Sequence, residues 1–316
     1  MQTQSGATGA SVSEIGVVHL IRRRNGLKPF QRFMETYRAH PTGVEHDLLL
    51  VFKGFRSENQ SKEYEPMLTG IPHRRLYVSD AGYDLGAYLK AARHFDYTYY
   101  CFLNSFSQIR CSNWLAYLYR ALMIPGVGVA GATGSFESFS ANSRWRDQKL
   151  KSLSVTGRMR FLAAHFASAP TLTQGFLRFS AWILRSLGIW NIARFFPGFP
   201  NPHIRTNAFM VSRQVLARLR SGPMWFKFST YMLESGYESV TNQILAGGLR
   251  PVIVDSKGAV YERAEWPCSK TFRHSDQENL MVNDNQTEAY ANADPGYREE
   301  LSRRAWGEHG DQGKSQ

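Results

Sequence analysis

Polar side chains follow two predicted strands in residues 76–107, at the points where those strands end. The pattern predicts a strand, a glycine-bearing turn, a short helix and a very apolar strand that stops at Asn104. Asp80 and Asp84 lie in the turn, and Ser105 follows Asn104. Ligands of an open α/β sheet bind beyond the carboxyl ends of its strands, so we expect these side chains to line a site for a polar ligand.

This segment resembles the nucleotide-sugar half of GT-A glycosyltransferases, especially glycosyltransferase family 2 and its relatives from bacterial polysaccharide synthesis. In that family a similar turn leads through a helix to a strand that ends in Asp-x-Asp. Here the helix covers residues 86–94 and the strand 97–103, and Asn104 and Phe106 stand at the two acidic positions. Divalent cations prefer carboxylate and phosphate oxygens, so the resemblance implies a site without the usual metal ligands.

The resemblance also implies a donor-binding set. Asn25, after the first strand, matches with Asp80 and Asp84 the positions by which the family holds the nucleotide, and Asn104 and Ser105 complete the rim. A structural alternative stays open for two of them. Asn25 and the glycine after it favour a tight turn by backbone geometry alone, and Asp80 also suits a helix cap.

Positive charge in place of a metal would stabilise the departing diphosphate, which is the main electrostatic task in such a transfer. Lys53 ends the second strand, Arg205 and Asn207 stand at a later one, and His274 lies where the family often supplies a histidine that contacts metal or phosphate. A solvated surface side chain is the alternative for each charged residue. The resemblance implies no certain cofactor, and Asn104 and His274 are the expected ligands if Mg²⁺ or Mn²⁺ binds.

Residues 228–249 resemble the helix that family 2 enzymes place beneath the acceptor, although the literal Glu-Asp pair is absent. Glu234 and Glu238 are four residues apart, which would place both on one face of a single helix. Either carboxylate could deprotonate the acceptor hydroxyl as a general base. A solvated helix face is the alternative, but these are the first acids after Asp147, which favours a catalytic purpose.

Composition limits the class of protein. The 316 residues are 43% hydrophobic, which is ample for a core and slightly more than one core usually holds. Cys101, Cys111 and Cys268 lack Cys-x-x-Cys spacing, which argues against a disulfide framework or zinc site and favours a reducing compartment. The polar N-terminus has no apolar signal segment, so we expect a cytoplasmic protein with disordered tails at 1–14 and 305–316.

Basic charge is concentrated in the middle of the chain. Twelve basic residues and no acids lie between Asp147 and Glu234, and the formal net charge is +12. Within this stretch, residues 175–196 combine bulky apolar side chains with arginines, which predicts a helix in an anionic membrane interface, on the inner face of the plasma membrane. Arginines interrupt the apolar runs, so no transmembrane helix is predicted. A helical subdomain packed on its own core is the alternative, and no nucleic-acid motif is present.

Strands alternate with helices elsewhere, which favours a mostly parallel sheet. Ser112 and Ser212 are expected N-caps, and one helix is expected over residues 229–246. Residues 126–131 match a dinucleotide-binding fingerprint in their glycines, but they follow a helix and a proline, so we instead predict a strand over residues 127–131 and a glycine-rich loop at the sheet edge. The other predicted strands are 16–21, 47–53, 75–79, 97–103, 207–211 and 251–255.

The expected fold is therefore α/β and GT-A-like, with a mostly parallel central sheet flanked by helices and a basic helical insert. Residues 15–134 would form a nucleotide-sugar-binding half, 135–202 the basic apolar insert, and 203–304 an acceptor-binding half. The implied function is transfer of a sugar from a nucleotide-diphosphate donor to a glycan or lipid-linked acceptor in cell-surface polysaccharide synthesis. The alternative is a non-catalytic GT-A-like binding or scaffold protein at the membrane surface.

Overall fold

A computed structural model describes residues 13–80, 83–142, 154, 191–222 and 227–308. One eight-stranded sheet lies at its centre, with the spatial strand order β11-β10-β6-β9-β4-β1-β2-β3. Two small sheets pair β5 with β12 and β7 with β8. The strands are β1 Ile15–Arg22, β2 Asp47–Lys53, β3 His73–Val78, β4 Tyr99–Leu103, β5 Gln108–Ile109, β6 Val127–Gly131, β7 Gly134–Ser135, β8 His203–Ile204, β9 Ala208–Ser212, β10 Arg250–Val254, β11 Val260–Tyr261 and β12 Val282–Asn283.

Most strands of the central sheet run in one direction. β1 pairs in parallel with β2 and β4, β2 with β3, and β6 with β10. β9 lies between β4 and β6 and is antiparallel to both. The amino end of β9 therefore meets the carboxyl ends of β1, β4 and β6 at one edge of the sheet, where ligands of such folds bind.

Helices cover both faces of this sheet. On one face, apolar side chains of α1 and α3 pack with alternate strand residues such as Val17. On the other face, α2, α5, α6 and α8 pack with the intervening residues, such as Val18. Burial on both faces explains the continuous apolar runs of the strands. The helices are α1 Leu27–Ala39, α2 Tyr83–His94, α3 Trp114–Leu122, α4 Arg213–Arg218, α5 Lys227–Ser235, α6 Val240–Ala246, α7 Asn285–Ala291 and α8 Pro295–Trp306.

The predicted helix over residues 229–246 is wrong, because the chain forms α5 and α6 with a turn between them. A side chain at Gly236 would place its Cβ 2.6 Å from the carbonyl oxygen of Met232, so the turn requires glycine. Ser239 then caps α6 by accepting a hydrogen bond from the backbone N–H of Asn242.

The two predicted N-caps have different outcomes. The Ser212 side chain caps α4 by accepting a hydrogen bond from the backbone N–H of Val215, as expected. The expectation for Ser112 is wrong, because Asn113 directly precedes α3 with a left-handed φ of 61°. Asparagine visits that region more readily than most residues.

Near the C-terminus, α8 reaches Trp306, whose side chain is buried and donates from Nε1 to the carbonyl oxygen of Phe272. A disordered tail was expected from residue 305, but residues 305 and 306 belong to α8 and are buried in the core. Most of the predicted insert, residues 143–153 and 155–190, lies outside the described residues, and the division into two halves stays a prediction. In the described part of the chain, no helix is long and apolar enough to span a bilayer.

Candidate functional site

A cavity of about 950 Å³ opens at the carboxyl edge of the sheet. Its walls come from the ends of β1 and β4, the residues before β9, the first turn of α2, the helix α5 and the segment 273–304. The lining therefore includes residues of the first predicted half, at the ends of β1 and β4, and residues of the second predicted half, before β9.

The side of the cavity at the end of β1 carries a cluster of opposite charges. Arg22 and Asp84 line the cavity, and the Arg22 Nε donates to Asp80 Oδ1 at 2.8 Å. Lys53 is buried close by, and burial together with Arg22 lowers its pKa to about 8 against the opposing effect of the two aspartates. Burial also raises the pKa of Asp84, although Arg22, Lys53 and Arg24 act in the opposite direction. The cations Arg22, Arg24 and Lys53 outnumber the carboxylates of Asp80 and Asp84, so this cluster favours an anionic group in the cavity.

The loop after β4 does not fit a divalent metal ion. The side-chain oxygen of Asn104 accepts from the backbone N–H of Phe106 at 2.9 Å and from Ser107 Oγ at 3.2 Å, so it closes the turn. Phe106 presents an apolar side chain to the cavity, and Ser105 is buried outside its lining. Within the described ranges, no three His, Cys, Asp or Glu side chains are grouped to hold a metal.

Across the cavity, two buried arginines flank one aromatic ring. Arg205 lies 3.9 Å and Arg273 4.8 Å from the ring centroid of Phe272. Arg205 pairs with Asp284 at 2.8 Å, where the side chains are 9% and 1% exposed, and Arg273 pairs with Glu137 at 3.1 Å. Both guanidinium groups are thus fixed by ion pairs and cation–π contacts.

Three residues that line the cavity each have one side-chain polar atom that is fully buried and has no hydrogen-bond partner among the described residues. These atoms are Nδ2 of Asn207, Nε of Arg273 and Oγ1 of Thr230. A buried polar group left unpaired costs about 1–3 kcal/mol, so these three atoms lower the stability of the folded chain.

A carboxylate and an imidazole lie on the same wall. Glu234 of α5 accepts from Thr206 Oγ1 at 3.0 Å. His203 donates from Nδ1 to the carbonyl oxygen of Asn201 at 2.8 Å, which leaves Nε2 as an acceptor. Burial lowers the pKa of His203, so its ring is neutral near pH 7. Each of these two residues could accept a proton from a bound hydroxyl group.

Glu238 is not beside Glu234, so the prediction that they share a helix face is wrong. The break at Gly236 puts Glu238 in the turn between α5 and α6, and it does not line the cavity. Glu234 is the acid that the fold directs to the site.

The cavity brings together five residues predicted from the sequence: Asp84, Asn104, Arg205, Asn207 and Glu234. Six others do not line it, namely Asn25, Lys53, Asp80, Ser105, Glu238 and His274. Lys53 and Asp80 interact with Arg22, which does line the cavity. Asn25 ends a short 3-10 turn before Gly26, whose φ is 71°. The imidazole ring of His274 forms a hydrogen bond with the Ser275 hydroxyl group. His274 therefore does not share the cavity wall with Asn104, its expected partner in a metal site.

The sequence did not indicate most of the other lining residues, among them Arg22, His203, Arg273 and Asp284. Arg22 could have been found from the sequence, because it directly follows the first predicted apolar strand. The other three lie in segments without helix or strand periodicity, so only the tertiary structure reveals them.

No family model and no curated protein sequence matches this chain. Among solved structures, the mannosyltransferase PcManGT from Pyrobaculum calidifontis, in complex with GDP-Man and Mn²⁺, is 11% identical with a TM-score of 0.44. That match covers 82% of this chain and 60% of that one. The galactosyltransferase LgtC, in complex with donor and acceptor sugar analogs, is 10% identical with a TM-score of 0.41, covering 77% and 74%.

Core-mannan synthase A from Aspergillus fumigatus, in its Mn/GDP form, is 12% identical with a TM-score of 0.37 and coverages of 77% and 67%. These neighbours are GT-A-type glycosyltransferases, the class that the sequence resembles. Because every one of these TM-scores lies below 0.5, the activity of this chain is inferred from its cavity and not from the neighbours.

Proposed function

We propose that this protein is a glycosyltransferase that moves a sugar from a nucleotide-diphosphate donor to a hydroxyl acceptor. The observation that carries the proposal is one cavity at the carboxyl edge that joins the cationic cluster at β1 to the Glu234 carboxylate. A leaving diphosphate requires fixed positive charge, and an attacking hydroxyl requires a proton acceptor. Both requirements are met within a single space.

In the proposed reaction, Arg22 and Arg24 face the diphosphate, and Asp84 accepts hydrogen bonds from the nucleotide ribose. Glu234 takes the proton of the acceptor hydroxyl group while the oxygen of that hydroxyl group bonds to the anomeric carbon of the donor sugar. The bond from that carbon to the diphosphate oxygen breaks, and the electron pair leaves with the nucleoside diphosphate. Thr206, which donates to Glu234, orients the carboxylate.

Measuring nucleoside diphosphate release with a panel of nucleotide sugars and acceptors tests this proposal. We expect Glu234→Gln to lower the transfer rate about 10²–10⁴-fold, the usual contribution of a general base. Glu238→Gln is the matched control, because that side chain lies nearby but outside the cavity, and it should retain the wild-type rate.

A non-catalytic binding or scaffold protein is the second candidate, and the loop after β4 favours it because Asn104 and Phe106 replace the two acids. The same assay separates the candidates. Nucleotide binding in calorimetry, without diphosphate release from any donor, would support the scaffold function.

We further propose that the acceptor is a glycan or a lipid-linked sugar in cell-surface polysaccharide synthesis, and that the protein attaches to the inner face of the plasma membrane. The basic stretch of residues 149–220 supports attachment, since each basic residue near an anionic surface contributes about 1 kcal/mol. Residues Arg178 and Arg185 of that stretch lie outside the described residues.

Co-sedimentation with anionic vesicles tests the attachment. Binding should fall steeply as salt rises, and the variant with Arg178, Arg185 and Arg194 changed to Glu should stay in the supernatant. Failure of the wild type to bind at low salt would remove the membrane from the proposal.

A further inference from the structure

A buried amine lies next to the arginine at the end of β1. Lys53 ends β2 and is 0% exposed, although lysine is rarely buried without a charged partner. β1 and β2 pair in parallel with Arg22 beside Lys53, so the two side chains leave the same face of the sheet. Arg22 lines the cavity and Lys53 does not. Lys53 therefore acts on a bound ligand through its charge and through Arg22, and not by direct contact.

Charged groups from three other elements act on the Lys53 amine. Asp80 follows β3 and accepts from the Arg22 Nε at 2.8 Å, and Asp84 lies in the first turn of α2. Among the described residues, the two carboxylates favour the protonated amine, whereas Arg22 and Lys90 disfavour it. Burial is the largest effect, and together these influences lower the pKa of Lys53 to about 8. Lys53 thus changes its charge just above neutral pH.

A bound anion would shift this equilibrium. A diphosphate beside Arg22 attracts the protonated form of Lys53, because a charge several ångströms away still acts strongly at a partly desolvated site. Since the ligand raises the pKa of Lys53, protonation of Lys53 must strengthen the binding of the ligand to the same extent. The affinity for the anion is therefore highest below the pKa of Lys53 and falls as the pH rises through about 8.

We propose that Lys53 is a positioning residue for the donor, whose buried charge offsets Asp80 and Asp84 and so leaves the Arg22 guanidinium positive toward the diphosphate. The inference rests on the proposed transferase function for the identity of the diphosphate as part of the donor. Nucleoside-diphosphate binding itself is measurable without catalysis. If Lys53 served only the stability of the fold, its charge would not follow ligand binding, and the affinity would not depend on its protonation.

Isothermal titration calorimetry on the full wild-type chain tests the proposal with uridine, guanosine and adenosine diphosphate. We expect at least one of them to bind at pH 7 and its affinity to fall about tenfold by pH 9. At pH 8, two buffers that differ in ionisation enthalpy should reveal the uptake of about half a proton for each ligand bound. This second measurement needs no variant, so it remains decisive if a substitution at the buried site prevents folding.

Lys53→Met removes the charge and keeps an unbranched buried chain. It should bind the same ligand about tenfold more weakly than the wild type at pH 7, with little further change up to pH 9 and no proton uptake at pH 8. Lys90→Met is the matched control, because Lys90 is an exposed residue of α2 that acts on Lys53 but does not line the cavity. This control should keep the pH dependence of the wild type.

Several outcomes would overturn the inference: no binding of any of the three ligands, a wild-type affinity that is the same at pH 7 and pH 9, no proton uptake at pH 8, or an unchanged pH dependence in Lys53→Met. The proposed function fails separately. A chain that shows the expected pH dependence but releases no nucleoside diphosphate from any donor would refute the transferase function and leave the role of Lys53 intact. A chain that transfers sugar but binds the ligand equally at both pH values would refute the role of Lys53 alone.

Discussion

Replacing Arg205 with methionine should destabilise the fold strongly, because it leaves the Asp284 carboxylate buried without its cation. Breaking a buried ion pair by removing one partner typically costs about 3–5 kcal/mol. Asp284 keeps hydrogen bonds from the backbone N–H groups of Gln286 and Thr287, at 3.0 and 2.9 Å, which stabilise its charge. We therefore expect a loss of about 3 kcal/mol, at the lower end of that range. Methionine retains much of the apolar contact with Phe272.

Urea unfolding followed by circular dichroism gives the free energy of unfolding for this comparison. The control is Arg213→Met, which removes a surface pair with Asp96 whose side chains are 47% and 89% exposed, and it should cost less than about 1 kcal/mol. The double variant Arg205→Met/Asp284→Asn removes the uncompensated charge and should recover part of the loss. If Arg205→Met costs no more than the surface control, the interpretation of this buried pair is refuted.

Two further predictions concern the donor side. Asp84→Ala should weaken nucleoside-diphosphate binding by about tenfold or more in calorimetry, since a hydrogen bond to a charged group contributes about 1.5–3 kcal/mol, while the melting temperature stays nearly unchanged; wild-type affinity would remove Asp84 from the site. Because Asn104 closes its own turn and Phe106 is apolar, nucleotide binding and transfer should survive EDTA, and a complete loss that Mn²⁺ restores would show that other residues hold a metal.

The central sheet was predictable because its strands are continuous apolar runs between polar turns. β2 and β6 have the predicted bounds, and alternation with helices indicated the mostly parallel arrangement. The antiparallel direction of β9 could not be predicted, because the periodicity of one strand carries no information on its neighbours.

The candidate site was predictable where its residues follow a predicted strand or stand out by their charge. Asp84 and Asn104 were found in this way, and Glu234 was found through the absence of other acids. Glu238 was wrongly included because helical periodicity continues across Gly236, and only the close approach to Met232 reveals the break. Arg273 could not be found, since its position depends on a long-range contact with Glu137.

The position of β9 between β4 and β6 has a consequence for how the protein is made. When β6 leaves the ribosome, its neighbour β9 has not yet been synthesised, because β9 follows many residues later in the chain. During that interval β4 has an unpaired edge, and so does β6. Exposed strand edges are templates for pairing between chains, so the nascent protein passes through a stage that is prone to aggregation. The synthesis of β9 pairs the open edge of β4 and one edge of β6, and the second edge of β6 is paired only when β10 follows.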